Sequence, residues 1–412
     1  MRPIALSLLC TASLATLILG LAGTALGCAG HAQPAAAAPG PAVAASGGGT
    51  LNVALASDGL APAFSQLNLQ LSGLALEVAG TWRQVPLDAL NPTVDGNGTP
   101  VPAPVNAQSV NLIGLGSGSP ATLASKVAWP AGLTTGVRLQ LASGSTVTLA
   151  ADGSVHTLVT PAQLDSGMGL PGGFTVAQGG TTNLMILVGL ANCALPDPVT
   201  TGAYDFQPLA MRGYDQAATG TLTGSLAPVP DATGAVLAPP GGAVVTAQLD
   251  EPLSAPGAGV LFRTAVTDAS GHFSFDLLPL GYTWSVVSQP AGFLAEASIG
   301  VALGDAPFNT GTPSLPLTAA AATGTLSGAL AQASPAGEVD VVDLVQTFAG
   351  EAVTVQSAAV AAGSFSFTAV PPGTYQAVLN RYSYSAGLGI SDQRTVTAPF
   401  AIATLATTHI SF

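Results

Sequence analysis

The residues able to do chemistry are few and stand apart. Four histidines, His31, His156, His272 and His409, are widely separated, and none has a second His, a Cys or an acid at a metal-ligand spacing. No metal centre is expected. Thr93-Val94-Asp95-Gly96-Asn97-Gly98-Thr99 has the look of a short acidic calcium loop, but it lacks a third carboxylate and a distal bidentate Glu. It reads as a solvated loop. Asp250-Glu251 and the set Glu338, Asp340 and Asp343 could each hold a cation weakly. A solvated strand edge, where charge discourages edge-to-edge pairing, explains them better. Nucleophilic catalysis needs a serine with a histidine and an acid in reach, and spacing alone leaves His156 and His272 open to that role. Gly114-Leu115-Gly116-Ser117-Gly118 has the spelling of a nucleophile elbow without its strand-to-helix context. Nothing predicts the fixed carboxylate separation that glycoside hydrolysis requires. The chain is therefore expected not to be an enzyme, and no cofactor is implied. Trp82 and Trp129 lie near turns, where an indole could stack on a sugar face, although burial is the simpler account of both.

The three cysteines divide by position. Cys10 lies inside an apolar leader, Cys28 directly follows it, and Cys193 sits in apolar surroundings, so no disulfide framework is implied. Cys193 reads as a small buried side chain or a free thiol at a strand end. Arg2 gives a positive start, and from Ile4 to Ala25 there is no charge, with leucines at 6, 8, 9, 14, 17, 19 and 21. This is an export signal. Thr24-Ala25-Leu26-Gly27-Cys28 resembles a bacterial lipobox, in which the thiol receives a diacylglyceryl group and a peptidase cuts between Gly27 and Cys28. The small residue before the cut fits that spacing. Ala25 stands where Leu is commoner. Ordinary signal cleavage near Ala25 or Ala32, and an uncleaved apolar helix, are the competing readings, and all three place the remainder outside the cytoplasm. Ala29 after the cysteine resembles lipoproteins sorted onward to an outer membrane. Residues 28–49 are an Ala/Pro/Gly/Ser run that reads as a flexible tether, with His31 a solvated part of it.

Composition narrows the choices for the chain beyond the tether. The 412 residues carry 8 Lys and Arg against 21 acids, a formal net charge of -13, and the basic residues are scattered. Nucleic acid is excluded as a partner, and so is electrostatic docking on anionic lipid. A lipid on Cys28 would then be the sole membrane anchor. With 50 Gly, 32 Pro and only 7% charged residues, short strands and many turns are expected.

Apolar alternation begins at Leu51, Val53 and Leu55, continues at Leu67, Leu69 and Leu71 and at Leu74, Leu76 and Val78, and returns at Val137, Leu139 and Leu141 and at Val147 and Leu149. Ala151-Asp152-Gly153-Ser154 reads as a hairpin turn. Leu184-Met185-Ile186-Leu187-Val188 is continuously apolar but short, which predicts a central strand rather than a membrane span. Residues 50–213 resemble a family of unknown function found at the N-terminal side of many bacterial lipoproteins. The likeness rests on Leu51-Asn52-Val53-Ala54-Leu55 then Ser57-Asp58, on Trp82, on Ser109-Val110-Asn111-Leu112-Ile113-Gly114-Leu115, and on Trp129-Pro130-Ala131-Gly132 before Val137-Arg138-Leu139. Gly172-Gly173-Phe174-Thr175-Val176 and Tyr204-Asp205-Phe206-Gln207-Pro208-Leu209 complete it. Leu133 stands where an aromatic is usual, Asp-Ala-Pro is missing after the first strand, and residues 91–105 look inserted. The resemblance implies a β-rich domain and no established activity.

Two related units close the chain, over 217–317 and 321–412. Thr219-Gly220-Thr221-Leu222-Thr223-Gly224-Ser225-Leu226-Ala227 recurs as Thr323-Gly324-Thr325-Leu326-Ser327-Gly328-Ala329-Leu330-Ala331. Phe273-Ser274-Phe275 and Leu278-Pro279-Leu280-Gly281-Tyr282 are mirrored by Phe365-Ser366-Phe367 and Val370-Pro371-Pro372-Gly373-Thr374-Tyr375. Repetition at this length means duplicated domains. The pattern, with Thr267-Asp268-Ala269-Ser270-Gly271-His272-Phe273, resembles the transthyretin-like regulatory module of carboxypeptidases, which implies tandem Greek-key, prealbumin-like β-sandwiches. In the second copy the acidic turn is eroded to Val360-Ala361-Ala362-Gly363. Phe273, Phe275, Tyr282 and Trp284 alternate and are expected to fill a sandwich interior. Asp268 is placed to bond backbone amides across its turn.

The fold expected is all-β: signal peptide (1–27), tether (28–49), a β-rich domain and two sandwiches. The expected function is lipid-anchored, non-catalytic display or adhesion at the cell envelope, on the outer membrane or cell surface, with an envelope protein or polysaccharide as partner. Saccharide binding is the alternative, and hydrolysis by an unrecognised site is a further one.

Overall fold

The computed structural model describes residues 47–412 apart from 59–62, 89–107, 116–119, 160–167, 171–173, 191–192, 198–199, 207–210, 231–233, 236–237, 239, 250–260, 304–312, 321, 333–337, 361–362 and 386–388. The leader with Gly27 and Cys28, the tether with His31, the Thr93–Thr99 loop, Gly116–Gly118 and Asp250-Glu251 lie outside the described residues. The described chain is all-β, with 3-10 turns at Leu112–Gly114 and Gln216–Ala218 and no helix long and apolar enough to cross a membrane.

The N-terminal region contributes β1 (Gly49–Ser57), β2 (Phe64–Val78), β3 (Thr81–Val85), β4 (Gln108–Asn111), β5 (Ala121–Trp129), β6 (Gly132–Leu141) and β7 (Thr146–Leu149). It continues with β8 (Val155–Val159), β9 (Met168–Leu170), β10 (Phe174–Val176), β11 (Thr181–Val188), β12 (Ala194–Pro196), β13 (Tyr204–Phe206) and β14 (Met211–Asp215). One sheet runs β14-β11-β1-β5, and a larger one, centred on β2 and β6, packs on it.

The two leucine runs of β2 are one strand. Leu67, Leu69 and Leu71 have odd parity and Leu74 and Leu76 even, yet all are fully buried in the same core. The register with β6 shifts between Leu71 and Gly73. One extra residue there reverses the side-chain alternation, so the parity change in the sequence is a β-bulge.

The uninterrupted apolar run of β11 has an equally direct cause. Leu184, Ile186 and Val188 enter the N-terminal core, while Met185 and Leu187, with Ala56 of β1, enter a second core shared with Leu222, Phe275 and Trp284. A strand covered on both faces has no position for a polar residue.

That second core belongs to the first sandwich, built from β15 (Thr219–Pro228), β16 (Val244–Leu249), β17 (Leu261–Val266), β18 (His272–Pro279), β19 (Thr283–Ser288), β20 (Glu296–Ala302) and β21 (Ser314–Leu317). Its sheets are β18-β15-β21 and β17-β16-β19-β20. The second sandwich repeats the plan with β22 (Gly324–Ala329), β23 (Glu338–Phe348), β24 (Glu351–Ala359), β25 (Ser364–Val370), β26 (Gly373–Ser385), β27 (Gly389–Val396), β28 (Phe400–Ile402) and β29 (Thr407–Ser411). Here the sheets are β25-β22-β29 and β24-β23-β26-β27, with β28 beside β26, and in both copies the first strand pairs in parallel with the last.

The repeated glycine motif is explained by this pairing. Gly224 lies opposite Phe273 and Gly328 opposite Phe365, and an added Cβ on either would stand 2.3 Å from the ring. Only glycine lets each phenylalanine lie across the first strand. The Asp268 turn forms as expected, its Oδ1 accepting from the Ser270 and His272 amides at 2.8 and 3.0 Å. In the eroded copy Gly363 keeps a positive φ of 75° and accepts from Leu330 N as Gly271 does from Leu226 N. The backbone preserves the turn where the carboxylate is gone.

One expectation fails. Phe273, Phe275 and Trp284 are buried, but Tyr282 is 53% exposed. It follows the Gly281 turn and precedes β19, so its parity with Trp284 carries it past the edge of the core, with the two rings 6.3 Å apart.

Candidate functional site

The chemistry-bearing side chains gather at four places, the first being the hairpin between β7 and β8. Ser154 Oγ lies 2.8 Å from His156 Nε2 and 2.7 Å from Asp152 Oδ1, and His156 Nδ1 lies 2.7 Å from the Gly202 carbonyl. A serine, a histidine and an acid thus meet, as the sequence allowed. Their surroundings argue against a nucleophile. The Ser154 amide donates to Asp152 Oδ1 at 2.9 Å and the Gly153 amide to Leu149 O at 3.1 Å, so neither flanking N–H is available to an oxyanion. The bonds from Ser154 hold Asp152 below the usual carboxylate range. The trio closes a turn. His272 takes no part, its side chain being 66% exposed and 3.6 Å from Asp268 Oδ2.

Beside this hairpin, burial and the neighbouring charge of Asp197 push Asp205 up to about 6. A carboxyl whose folded pKa is raised favours the fold below its unfolded value and loses that contribution as pH rises through the folded value, here between about pH 4 and 6. Asp205→Asn removes the penalty of ionisation in the fold. It is expected to raise stability at pH 7.5 by about 1 kcal/mol, after discounting for the half-buried position, and to change little at pH 4. Urea unfolding at the two pH values checks the sign.

The second place is the seam between the N-terminal region and the first sandwich. Asp58, just beyond β1, accepts from Leu190 N at 3.0 Å through Oδ1 and from Thr264 Oγ1 of β17 at 2.7 Å through Oδ2. Adjacent Arg263 is 3% exposed, and burial lowers its pKa against the opposing influence of Tyr214, Asp58 and Asp276. Burial also takes Tyr214 up to about 12. Cys193 is fully buried, and burial with the Asp58 charge pushes its thiol up, which makes it an inert core group.

The third place joins the two sandwiches. Gln248, 1% exposed on β16, donates from Nε2 to Thr354 O at 2.6 Å and accepts at Oε1 from Thr354 N at 2.9 Å. Its carboxamide copies the pairing of a neighbouring strand and covers part of the edge of β24. Gln356 Nε2 adds a bond to Gln289 Oε1 at 3.0 Å.

The fourth corrects the expectation for Glu338, Asp340 and Asp343. They do not form a solvated edge, because β23 lies between β24 and β26 inside its sheet. Arg381 of β26 grips Asp340 through Nε and Nη2, both at 2.8 Å, with Glu338 at 3.6 Å, and Asn380 Nδ2 donates to Asp343 at 2.6 Å. The hydrogen bonds to Asp340 raise the Arg381 pKa. Among the described residues no three His, Cys, Asp or Glu side chains converge to hold a metal ion.

Of the two tryptophans singled out for stacking, Trp129 offers no face, being 5% exposed in the N-terminal core. Its place at the end of β5 points the indole inward. Trp82 is half-buried on β3, with the Arg138 guanidinium 3.8 Å from its ring centroid. Sequence reasoning missed the seam residues Thr264, Arg263 and Gln248. A lone Arg or Gln inside an otherwise apolar strand was the signal available.

No family model and no curated protein matches the chain. Among solved structures, it is similar to the Bacillus anthracis TIE protein at 13% identity, covering 89% of this chain and 50% of that one, with a TM-score of 0.17. The minor pilin GBS52 of Streptococcus agalactiae gives 14% identity over 47% of this chain and 94% of the pilin, with a TM-score of 0.18. A streptococcal ancillary pilin gives 14% identity over 88% and 98% of the two chains, with a TM-score of 0.18. TM-scores this low carry no functional conclusion.

Proposed function

We propose that this chain is a lipid-anchored extracytoplasmic protein whose three β-modules display a binding or adhesive surface at the cell envelope without catalysis. The observation that carries the reading is where the reactive groups stand. Asp58, Arg263, Gln248, Asp340 and Arg381 are engaged in joining or stiffening modules, and the Ser154–His156 pair closes a turn. Groups with such partners support a rigid body better than a reaction cycle. The leader and Gly27-Cys28 supply the address, the acyl chains the anchor, and residues 28–49 the reach. The acidic, Lys-poor composition gives no second means of holding an anionic membrane.

Metabolic labelling of cells with a fatty-acid analogue tests the anchor. Wild-type chain is expected to take up label and Cys28→Ala to take up none while losing membrane association. Equal labelling of both, or labelling of neither, contradicts the proposal.

A further inference from the structure

The outer face of β3, β2 and β6 carries side chains that neither the cores nor the seams use. Trp82, Glu77 and Gly136 lie in one cross-strand row, Gln84, Ala75 and Arg138 in the next, and Gly73 faces Gln140 in the one after. The alternate residues Leu74, Leu76, Val137 and Leu139 enter the core, so these rows look away from it. The large groups lie down on the sheet. An added Cβ at Gly136 would stand 2.8 Å from Trp82 Cη2, and one at Gly73 would stand 2.1 Å from Gln140 Oε1, with Gln84 Oε1 at 3.5 Å. Arg138 stacks at 3.8 Å from the indole centroid, and its Nε is buried with no hydrogen-bond partner. Trp82 remains half-buried and Gln84 exposed.

We propose that this face binds an uncharged saccharide chain. An indole offers an apolar plane to the C–H face of a pyranose, and planar guanidinium and carboxamide groups pair with adjacent hydroxyls as donors and acceptors. Glu77 acts on Arg138 and offsets its charge, so the face has no net sign, and the chain's net charge of -13 disfavours polyanions. The inference takes from the envelope reading only the setting in which a glycan would be met. Binding in solution stands or falls independently of the acyl anchor.

The test uses the full chain in a detergent without a sugar headgroup, titrated calorimetrically with short neutral gluco-, manno- and N-acetylglucosamine oligosaccharides. At least one is expected to bind saturably, with a parallel change in tryptophan emission, since Trp129 and Trp284 are buried. Affinity is expected to fall about tenfold in Trp82→Ala and to stay near wild type in Trp82→Tyr. Gln84→Ala alters only an exposed amide and carries the test should Trp82→Ala fail to fold, with a fall of about threefold expected. Absence of saturable binding to every oligosaccharide, or wild-type affinity in folded Trp82→Ala or in Gln84→Ala, overturns the proposal.

Discussion

Leu187→Asp is expected to destabilise the N-terminal region and the first sandwich together. Leu187 is 2% exposed, on the face of β11 that enters the sandwich core with Met185 and Ala56. A carboxylate there has no partner and is taken out of water between two modules, which costs about 4 kcal/mol. Because β11 carries both cores on its two faces, the loss should appear in both at once. The measurement is denaturant unfolding followed by Trp129 in the N-terminal core and Trp284 in the sandwich core, read separately through single-tryptophan variants. Coincident shifts are expected. A shift confined to one core would mean that the modules fold independently. Leu405→Asp, at a position 82% exposed, is the control and should change nothing.

Arg381→Met is expected to cost the second sandwich about 3 kcal/mol. The Asp340 side chain is fully buried, and the guanidinium supplies two of its hydrogen bonds while itself reaching the surface. Removing the arginine leaves a carboxylate in the sheet interior with its largest partner gone. Removing both charges has a different outcome, because two apolar residues of similar volume escape the desolvation cost. Asp340→Leu/Arg381→Met should recover most of the stability, to within about 1 kcal/mol of wild type. Thermal unfolding of the four chains measures the cycle, and a double variant no better than Arg381→Met would show that the pair itself, and not its desolvation balance, stabilises the sheet.

Both effects arise from residues whose types were visible and whose neighbours were not. The all-β class, the hairpin at Asp152-Gly153, the central position of β11 and the duplication of the sandwiches rest on local parity, turn chemistry and repeated motifs, which are properties of adjacent residues. The bulge in β2 was also present as a parity change between Leu71 and Leu74, readable once the two runs are taken as one strand. Long-range partners are another matter. Asp340 looked like edge charge because 41 residues separate it from Arg381, and Asp58 is 206 residues from Thr264. Period-two alternation says which face a residue takes and nothing about what covers that face. Tyr282 shows the same limit locally, since its parity was right and its strand had not yet begun. For the site, Trp82 was legible as an aromatic near a turn, whereas the flat ground beneath it depends on Gly136 and Gly73 meeting it across two other strands.

The claim on which the functional reading rests is that the modules are joined through a shared layer. Native-state hydrogen exchange of the full chain tests it most directly. Amides of β11 and β1 and those of β16 and β19 should open with the same free energy and the same denaturant dependence. Opening of β16 and β19 at distinctly lower free energy, with β11 still protected, would contradict it.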